Sequence, residues 1–229
     1  MTLSSDRAGR PRLESAWGRK QGIRCRPWLV LAFFLLAVLL SCSTKRIEIP
    51  TYEGVDPRYE LARRDTVGSI RSTFSIQFEK DGGTVKGDAA LSLTPDSLEL
   101  RVYSLGFLVA EVIANDTVTK SDPPLDRSRI ELLTEGLRNS FFWWSIKDFE
   151  IREEGKVYRL WNSWRRLIIN KRTLLPERQT IELEDGRELD ISYGEPENMG
   201  GTWFPSRMRI VLSRYTANVT IKTLTVIPQ

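Results

Sequence analysis

Histidine is absent from all 229 residues. That single gap removes Ser-His-Asp and Cys-His triads, histidine metal sites and imidazole acid–base chemistry together. Cysteine is nearly absent as well, with Cys25 and Cys42 the only two. Long hydrophobic runs are equally scarce. The one unbroken run, Trp28 to Leu40, reaches roughly 20 Å as a helix, short of a hydrocarbon core of about 30 Å. Arg7, Arg10, Arg12, Arg19, Lys20, Arg24 and Arg26 precede it and Ser41-Cys42 closes it. A basic start, a short apolar middle and a small-residue exit describe an export signal, not a membrane span. An excess of positive charge is also missing from what remains. The formal net charge is +4, but residues 1–41 take seven basic and two acidic residues with them and leave 27 against 28. The basic pI near 9.1 therefore belongs to the leader, and no nucleic-acid partner is expected.

Cleavage before Cys42 removes Cys25, so the mature chain keeps one thiol and no internal disulfide is possible. Leu39-Leu40-Ser41-Cys42 resembles the bacterial lipobox, whose cysteine is diacylated before the leader is cut and whose new amine is then usually acylated. The alternative is an uncleaved signal anchor. Two or more acyl chains hold a protein stably on a membrane where one does not. Ser43 follows Cys42, and by the same resemblance the outer membrane, facing the periplasm, is the expected address. The chain is thus read as a lipoprotein signal peptide (1–41), a lipidated N-terminus and tether (42–56) and one folded domain (57–229).

Within that domain, Asp56-Pro57 predicts a capped helix through Arg64, with a solvated loop as the competing reading. From Ile70 the pattern has period two: Ile70, Ser72, Phe74, Ile76 and Phe78, then Asp81-Gly82-Gly83, then Val85 to Leu93 on the return. Leu98–Val102 and Leu108–Ala114 continue it. After Asp122-Pro123-Pro124, Ile130, Leu133, Leu137 and Phe141 fall at helical spacing, followed by the block Phe141-Phe142-Trp143-Trp144. Strand signals resume at 149–151, 157–160, 164–169, 178–183, 188–193, 204–212 and 218–227. The expected fold is mainly β with a few helices: a curved antiparallel sheet of about eleven strands forming an incomplete, half-open β-barrel covered by helices.

This chain resembles the LolB-like outer-membrane lipoprotein-sorting receptors. The likeness lies in Leu98-Glu-Leu-Arg-Val-Tyr-Ser-Leu-Gly-Phe-Leu-Val-Ala110, in Trp203-Phe204-Pro205-Ser206-Arg207, and in the order position of the mid-chain helix. In that family a strand ends in a Leu-Gly turn whose apolar residue protrudes and helps pass lipoprotein to the membrane. Leu105-Gly106 falls at that place. Phe107 and Leu108 stand where the receptor is more polar, and Ser104 where it has proline. The resemblance implies a half-open barrel whose apolar cavity holds acyl chains, with acylated lipoproteins as cargo and a periplasmic carrier protein as a possible donor.

The expected sites follow. Cys42 is the lipidation site, and Leu105, Gly106, Phe107 and Leu108 form a membrane-contact loop, with a buried corner as the plain alternative. Phe74, Ile76, Phe78, Leu91, Leu93, Leu98 and Leu100 are candidates to line the cavity or else to be ordinary core. Ile130, Leu133, Leu137, Phe141 and Trp144 are candidates for a lid or for packing of the helix end on the sheet. Acyl transfer needs no catalytic residue, cofactor or metal, since each buried CH₂ is worth about 0.8 kcal/mol. Two other readings compete. A filled barrel would make this an assembly lipoprotein that binds a protein partner. Glu182, Glu184, Asp185, Glu188 and Asp190, or Glu150, Glu153 and Glu154, could supply paired carboxylates for glycoside hydrolysis, but both groups alternate with apolar residues at turns, as solvated faces do.

Overall fold

The computed structural model describes residues 48–52 and 54–229. Cys42 and the leader lie outside the described residues. Among these described residues, fourteen strands and two helices form. The first helix, α1 (Pro57–Arg64), starts on Asp56, whose carboxylate accepts from the Arg58 N–H at 2.8 Å. Strands β1 (Val67–Lys80), β2 (Gly83–Leu93), β3 (Ser97–Ser104), β4 (Phe107–Asn115) and β5 (Thr119–Asp122) then run as a meander. The helix α2 (Arg127–Phe141) follows, capped by Asp126, which accepts from the Arg129 N–H at 3.0 Å. A second meander comprises β6 (Glu150–Glu154), β7 (Val157–Trp161), β8 (Arg165–Asn170), β9 (Pro176–Glu182) and β10 (Glu188–Tyr193). A small hairpin, β11 (Pro196–Met199) and β12 (Thr202–Pro205), precedes β13 (Arg207–Leu212) and β14 (Tyr215–Pro228).

Twelve strands make one antiparallel sheet in the order β5-β4-β3-β2-β1-β14-β13-β10-β9-β8-β7-β6. The first and last strands pair at its centre, from Val67 opposite Pro228 to Lys80 opposite Tyr215. The edges β5 and β6 do not pair, so the curved sheet stays an open half-barrel. Because α2 lies between β5 and β6 in sequence, its segment must cross from one edge to the other, and it does so over the concave face. Leu132, Leu133, Gly136, Leu137, Ser140 and Phe141 are buried along it, the i, i+4 stripe of a helix laid on a sheet.

Two strands went unread in the sequence for a common reason. Thr-Lys-Ser-Asp of β5 and Pro-Glu-Asn-Met of β11 carry almost no apolar signal and are defined by backbone pairing with β4 and β12. The stretch 204–212, read as one strand, breaks at Ser206 into β12 and β13. The stretch read as a tether is not free along its whole length either. Ile49, Tyr52 and Val55 pack on the core, and the Tyr52 N–H donates to the Arg172 carbonyl at 2.8 Å.

The core is aromatic where α2 ends. Phe141 stacks on Phe204 with ring centroids 5.7 Å apart and meets Phe74 at 6.0 Å. Trp144 meets Trp143 edge-on at 5.5 Å and Phe142 at 5.6 Å. Helix α1 is held against this block by the Arg64 guanidinium, 5.0 Å from the Trp143 ring, and within the helix Glu60 binds Arg63 and Arg64. Burial alone would raise the Glu60 pKa, yet the two guanidinium groups hold it below the ordinary value.

Candidate functional site

At one end of the concave face the sheet is not filled. The β1–β2 turn at Asp81-Gly82, the β3–β4 turn at Leu105-Gly106 and the β13–β14 turn at Ser213-Arg214 all fall at this end, because Lys80 pairs with both Gly83 and Tyr215. The N-terminus of α2 reaches the same end, where the Tyr215 hydroxyl donates to Asp126 at 2.8 Å. Between them opens a cavity of about 500 Å³. Its walls are Ile76 and Phe78 of β1, Val85 and Gly87 of β2, Val102 of β3, Val109 and Ala110 of β4, and Leu125, Arg129 and Leu133 from the α2 side, with Lys80, Gly83 and Thr84 at the turn. The lining is apolar apart from Thr84 and two cations. Ligand pockets commonly span about 300–1,000 Å³.

Of the seven residues expected to line a cavity, Ile76 and Phe78 do so. Phe74, Leu91, Leu93, Leu98 and Leu100 are packed core toward the other end of the same face. Of the five helix residues, Leu133 borders the cavity. Leu137, Phe141 and Trp144 are buried in the core and Ile130 is half-buried. Sequence periodicity marked the correct face but not where along it the side chains run out. Val85, Val102, Val109 and Leu125 were missed as lining residues. Val85 carried a readable signal, sitting two residues past a Gly-Gly turn on the inward phase of β2.

The β3–β4 hairpin carries apolar residues out beyond this cavity. Leu105 is 96% exposed, Phe107 75% and Leu108 53%. Leu105 and Gly106 have φ of 51° and 83°, the double positive φ of a two-residue type I′ turn. Asn or Asp is the usual choice at the first such position; a leucine there carries strain of about 1–3 kcal/mol. Pairing then shifts by one residue, since Val102 faces Ala110 whereas Tyr103 faces Leu108. Val109 is the extra residue of this bulge. The shift puts Phe107 in phase with Ser104 and Val102 on the concave side, and Leu108 in phase with Tyr103 on the convex side. Apolar side chains therefore project from both faces of the tip as well as from its turn.

At the far end of α2 a buried polar network joins the helix to the sheet, with Arg165 Nη1 and Trp143 Nε1 left without a partner. Arg165 is buried among the core side chains. Its guanidinium donates to Gln179 Oε1 at 3.0 Å and to the Trp143 carbonyl at 2.9 Å. The Gln179 amide in turn donates to the Asn139 carbonyl at 2.8 Å and to the Tyr193 hydroxyl. These carbonyls sit at the C-terminal end of α2, where a cation complements the helix dipole. Desolvation lowers the Arg165 pKa to about 10, partly offset by Tyr193. The Tyr193 hydroxyl is raised well above its ordinary value, because burial disfavours the phenolate.

Five of the eight clustered carboxylates are ion-paired. Glu188 binds Arg166, Asp190 binds Arg178, Asp185 binds Arg187, Glu153 binds Lys171 and Glu154 binds Arg159. The Arg187 hydrogen bond lowers the Asp185 pKa. Among the described residues no group of three or more acidic or cysteine side chains is placed to hold a metal ion. No described helix is long and apolar enough to cross a membrane.

An open antiparallel half-barrel, crossed by one helix that borders an apolar cavity, is the class of protein that these features define. Solved structures with this architecture place it as the LolA-like fold. A DUF1329 family protein from Desulfovibrio piger matches with a TM-score of 0.56 and 13% identity over 78% of this chain and 94% of its own. A LolA superfamily protein from Nitrosomonas europaea matches with a TM-score of 0.52 and 13% identity over 77% and 95%. No protein-family model matches the chain, and no curated protein matches its sequence.

Proposed function

We propose that this protein is an envelope lipoprotein, anchored through acylated Cys42, that takes lipid acyl chains or acylated lipoproteins into the cavity beneath α2 and hands them to the membrane. One observation carries the reading: a single hairpin, β3–β4, lines the cavity with Val102, Val109 and Ala110 and ends in the exposed tip Leu105–Leu108. Transfer between two apolar environments needs no catalytic group, and binding is non-directional at about 25 cal/mol per Å² buried. An exposed apolar tip is the natural contact with a bilayer. The LolA-like fold of the relatives is consistent with this role, and an outer-membrane, periplasm-facing address follows from the lipobox and Ser43.

The test is native mass spectrometry of the full-length protein after export, with extraction of co-purifying lipid. Lipid in near-stoichiometric amount, reduced when Ala110→Leu narrows the cavity, is the expected result. Leu105→Glu should leave the bound lipid in place and stop its delivery to vesicles. A clean apo mass that no lipid or acylated lipoprotein changes would overturn the carrier reading.

A second reading has its own observation. Phe74, Leu91, Leu93, Leu98 and Leu100 fill most of the concave face, which suits an assembly lipoprotein that binds a protein partner. Capture of one envelope protein by the lipid-free chain, lost on Leu105→Glu, would favour it.

A further inference from the structure

The two charged groups that line the cavity are both cations, Lys80 and Arg129. They sit at its rim, on the last residue of β1 and the first turn of α2. The ring of Tyr215 gathers them: Lys80 Nζ lies 5.3 Å from its centroid and the Arg129 guanidinium 5.6 Å. Arg214 adds a third cation at 5.4 Å. Phe78, one of the cavity walls, meets the same ring at a tilt, 5.6 Å between centroids, and lies 5.8 Å from the Arg129 guanidinium. Two carboxylates stand against these three cations. Asp126 lies 3.2 Å from Arg129 Nε but already accepts from the Arg129 N–H and the Tyr215 hydroxyl. Asp81 is 3.6 Å from Arg214.

The rim is therefore positive by one charge, and Arg129 Nε is buried with no hydrogen-bond acceptor in good geometry. A buried guanidinium N–H left that way costs free energy unless something supplies an acceptor. Like charges gathered around one aromatic ring repel one another, and an anion between them relieves that repulsion. The cavity volume adds a second restriction. At roughly 30 Å³ per water-sized group, 500 Å³ takes on the order of sixteen methylene-sized groups, one fatty acyl chain and not a bundle of three.

We infer that the cavity selects an acyl chain whose head group is anionic, with the chain between α2 and the sheet and the acid group between Lys80 and Arg129. This rests on the reading that the cavity takes acyl chains and adds the class of head group and the number of chains. An arginine fork accepts a phosphate or a carboxylate equally by shape, so a phospholipid head and a fatty acid share the chemistry.

The experiment uses the full-length protein kept soluble in amphipol and three probes with the same sixteen-carbon chain: the fatty acid, the lysophosphatidic acid and the neutral monoacylglycerol. Affinities are read by displacement of a fluorescent acyl reporter. The expected result is that the acids bind about five- to tenfold more tightly than the neutral probe, an advantage that shrinks at high salt. Lys80→Gln and Arg129→Gln should each lower that ratio toward one, weakening the two acids more than the monoacylglycerol. Lys80 stands outside the helix, so its effect does not depend on how α2 tolerates a change at Arg129. The stronger of the two acid arms names the head group. Equal affinity for all three probes overturns the inference and leaves the acyl-binding reading standing. An acid preference that survives both substitutions also overturns it. Binding of none of the three removes the acyl-binding reading itself, and the inference with it.

Discussion

Arg165 and Gln179 face each other across β8 and β9 beneath the end of α2, and neither has a carboxylate partner. Arg165 Nε donates to Gln179 Oε1 at 3.0 Å, and the two side chains then reach the carbonyls of Trp143, just past α2, and of Asn139 within it. A buried cation held by neutral acceptors is stable only while all of them stay in place. Arg165→Met should cost about 3 kcal/mol of unfolding free energy, since it strands the Gln179 and Trp143 oxygens. The double change Arg165→Met with Gln179→Met should cost less than the sum of the two single changes. Urea unfolding of the three variants checks this, and strict additivity would show that the two residues act separately.

Tyr193 gives the same network a pH signature. Its folded pKa is raised by burial above the ordinary 10.0, so it contributes stability that is present below pH 10 and lost as pH climbs past it. Arg165, depressed to about 10, works the other way, because the unfolded state holds its proton to higher pH. Above pH 10 the two contributions oppose each other and largely cancel. Tyr193→Phe removes the destabilising one, so the variant should gain stability relative to the unchanged protein as pH rises past 10. An alkaline slope identical in the two proteins would remove Tyr193 as a contributor.

Gly136 sets how near α2 lies to the sheet. A Cβ built there comes within 2.7 Å of Ile210 Cγ2, a clash with a buried β-branched side chain. Alanine is favoured over glycine in a helix by about 1 kcal/mol, yet Gly136→Ala should destabilise by about 1–3 kcal/mol through overpacking. Thermal or urea unfolding reports the sign. A stabilised variant would mean that the helix seat is looser than its contacts imply.

Leu105 separates stability from delivery. Asparagine tolerates its φ of 51° with less strain, so Leu105→Asn should raise stability by about 0.5–1 kcal/mol. The same change removes the most exposed apolar side chain of the tip and should slow lipid transfer to vesicles. Gain in one assay with loss in the other is the expected pair. Loss of stability would show that the leucine is packed in solution.

How much of this was legible depended on whether apolar side chains carried the element. The long strands β1 to β4 announced themselves by alternation and by Asp81-Gly82-Gly83, and α2 by Ile130, Leu133 and Leu137. The class of fold followed from them. Strands β5 and β11, with little to bury, left no trace, because ladder hydrogen bonds are not written in side-chain pattern. The bulge at Val109 was invisible for the same reason, and with it the placing of Phe107 and Leu108 on opposite faces. Leu105-Gly106 was readable as a tip from its composition alone. Arg165 and Gln179 were not, since a polar residue on an inward phase reads as an interruption until its partners, fourteen residues apart, are brought together.

The unequal filling of the concave face has a consequence for how this chain can change over time. Phe74, Phe141, Trp143 and Phe204 hold one end at full density, and the cavity shares none of these four among its walls. A substitution that widens or narrows the pocket at Val85, Val102 or Ala110 leaves that dense end untouched. The pocket can change shape at one end while the other keeps the molecule folded, so its dimensions and the thermal tolerance of the domain are separable.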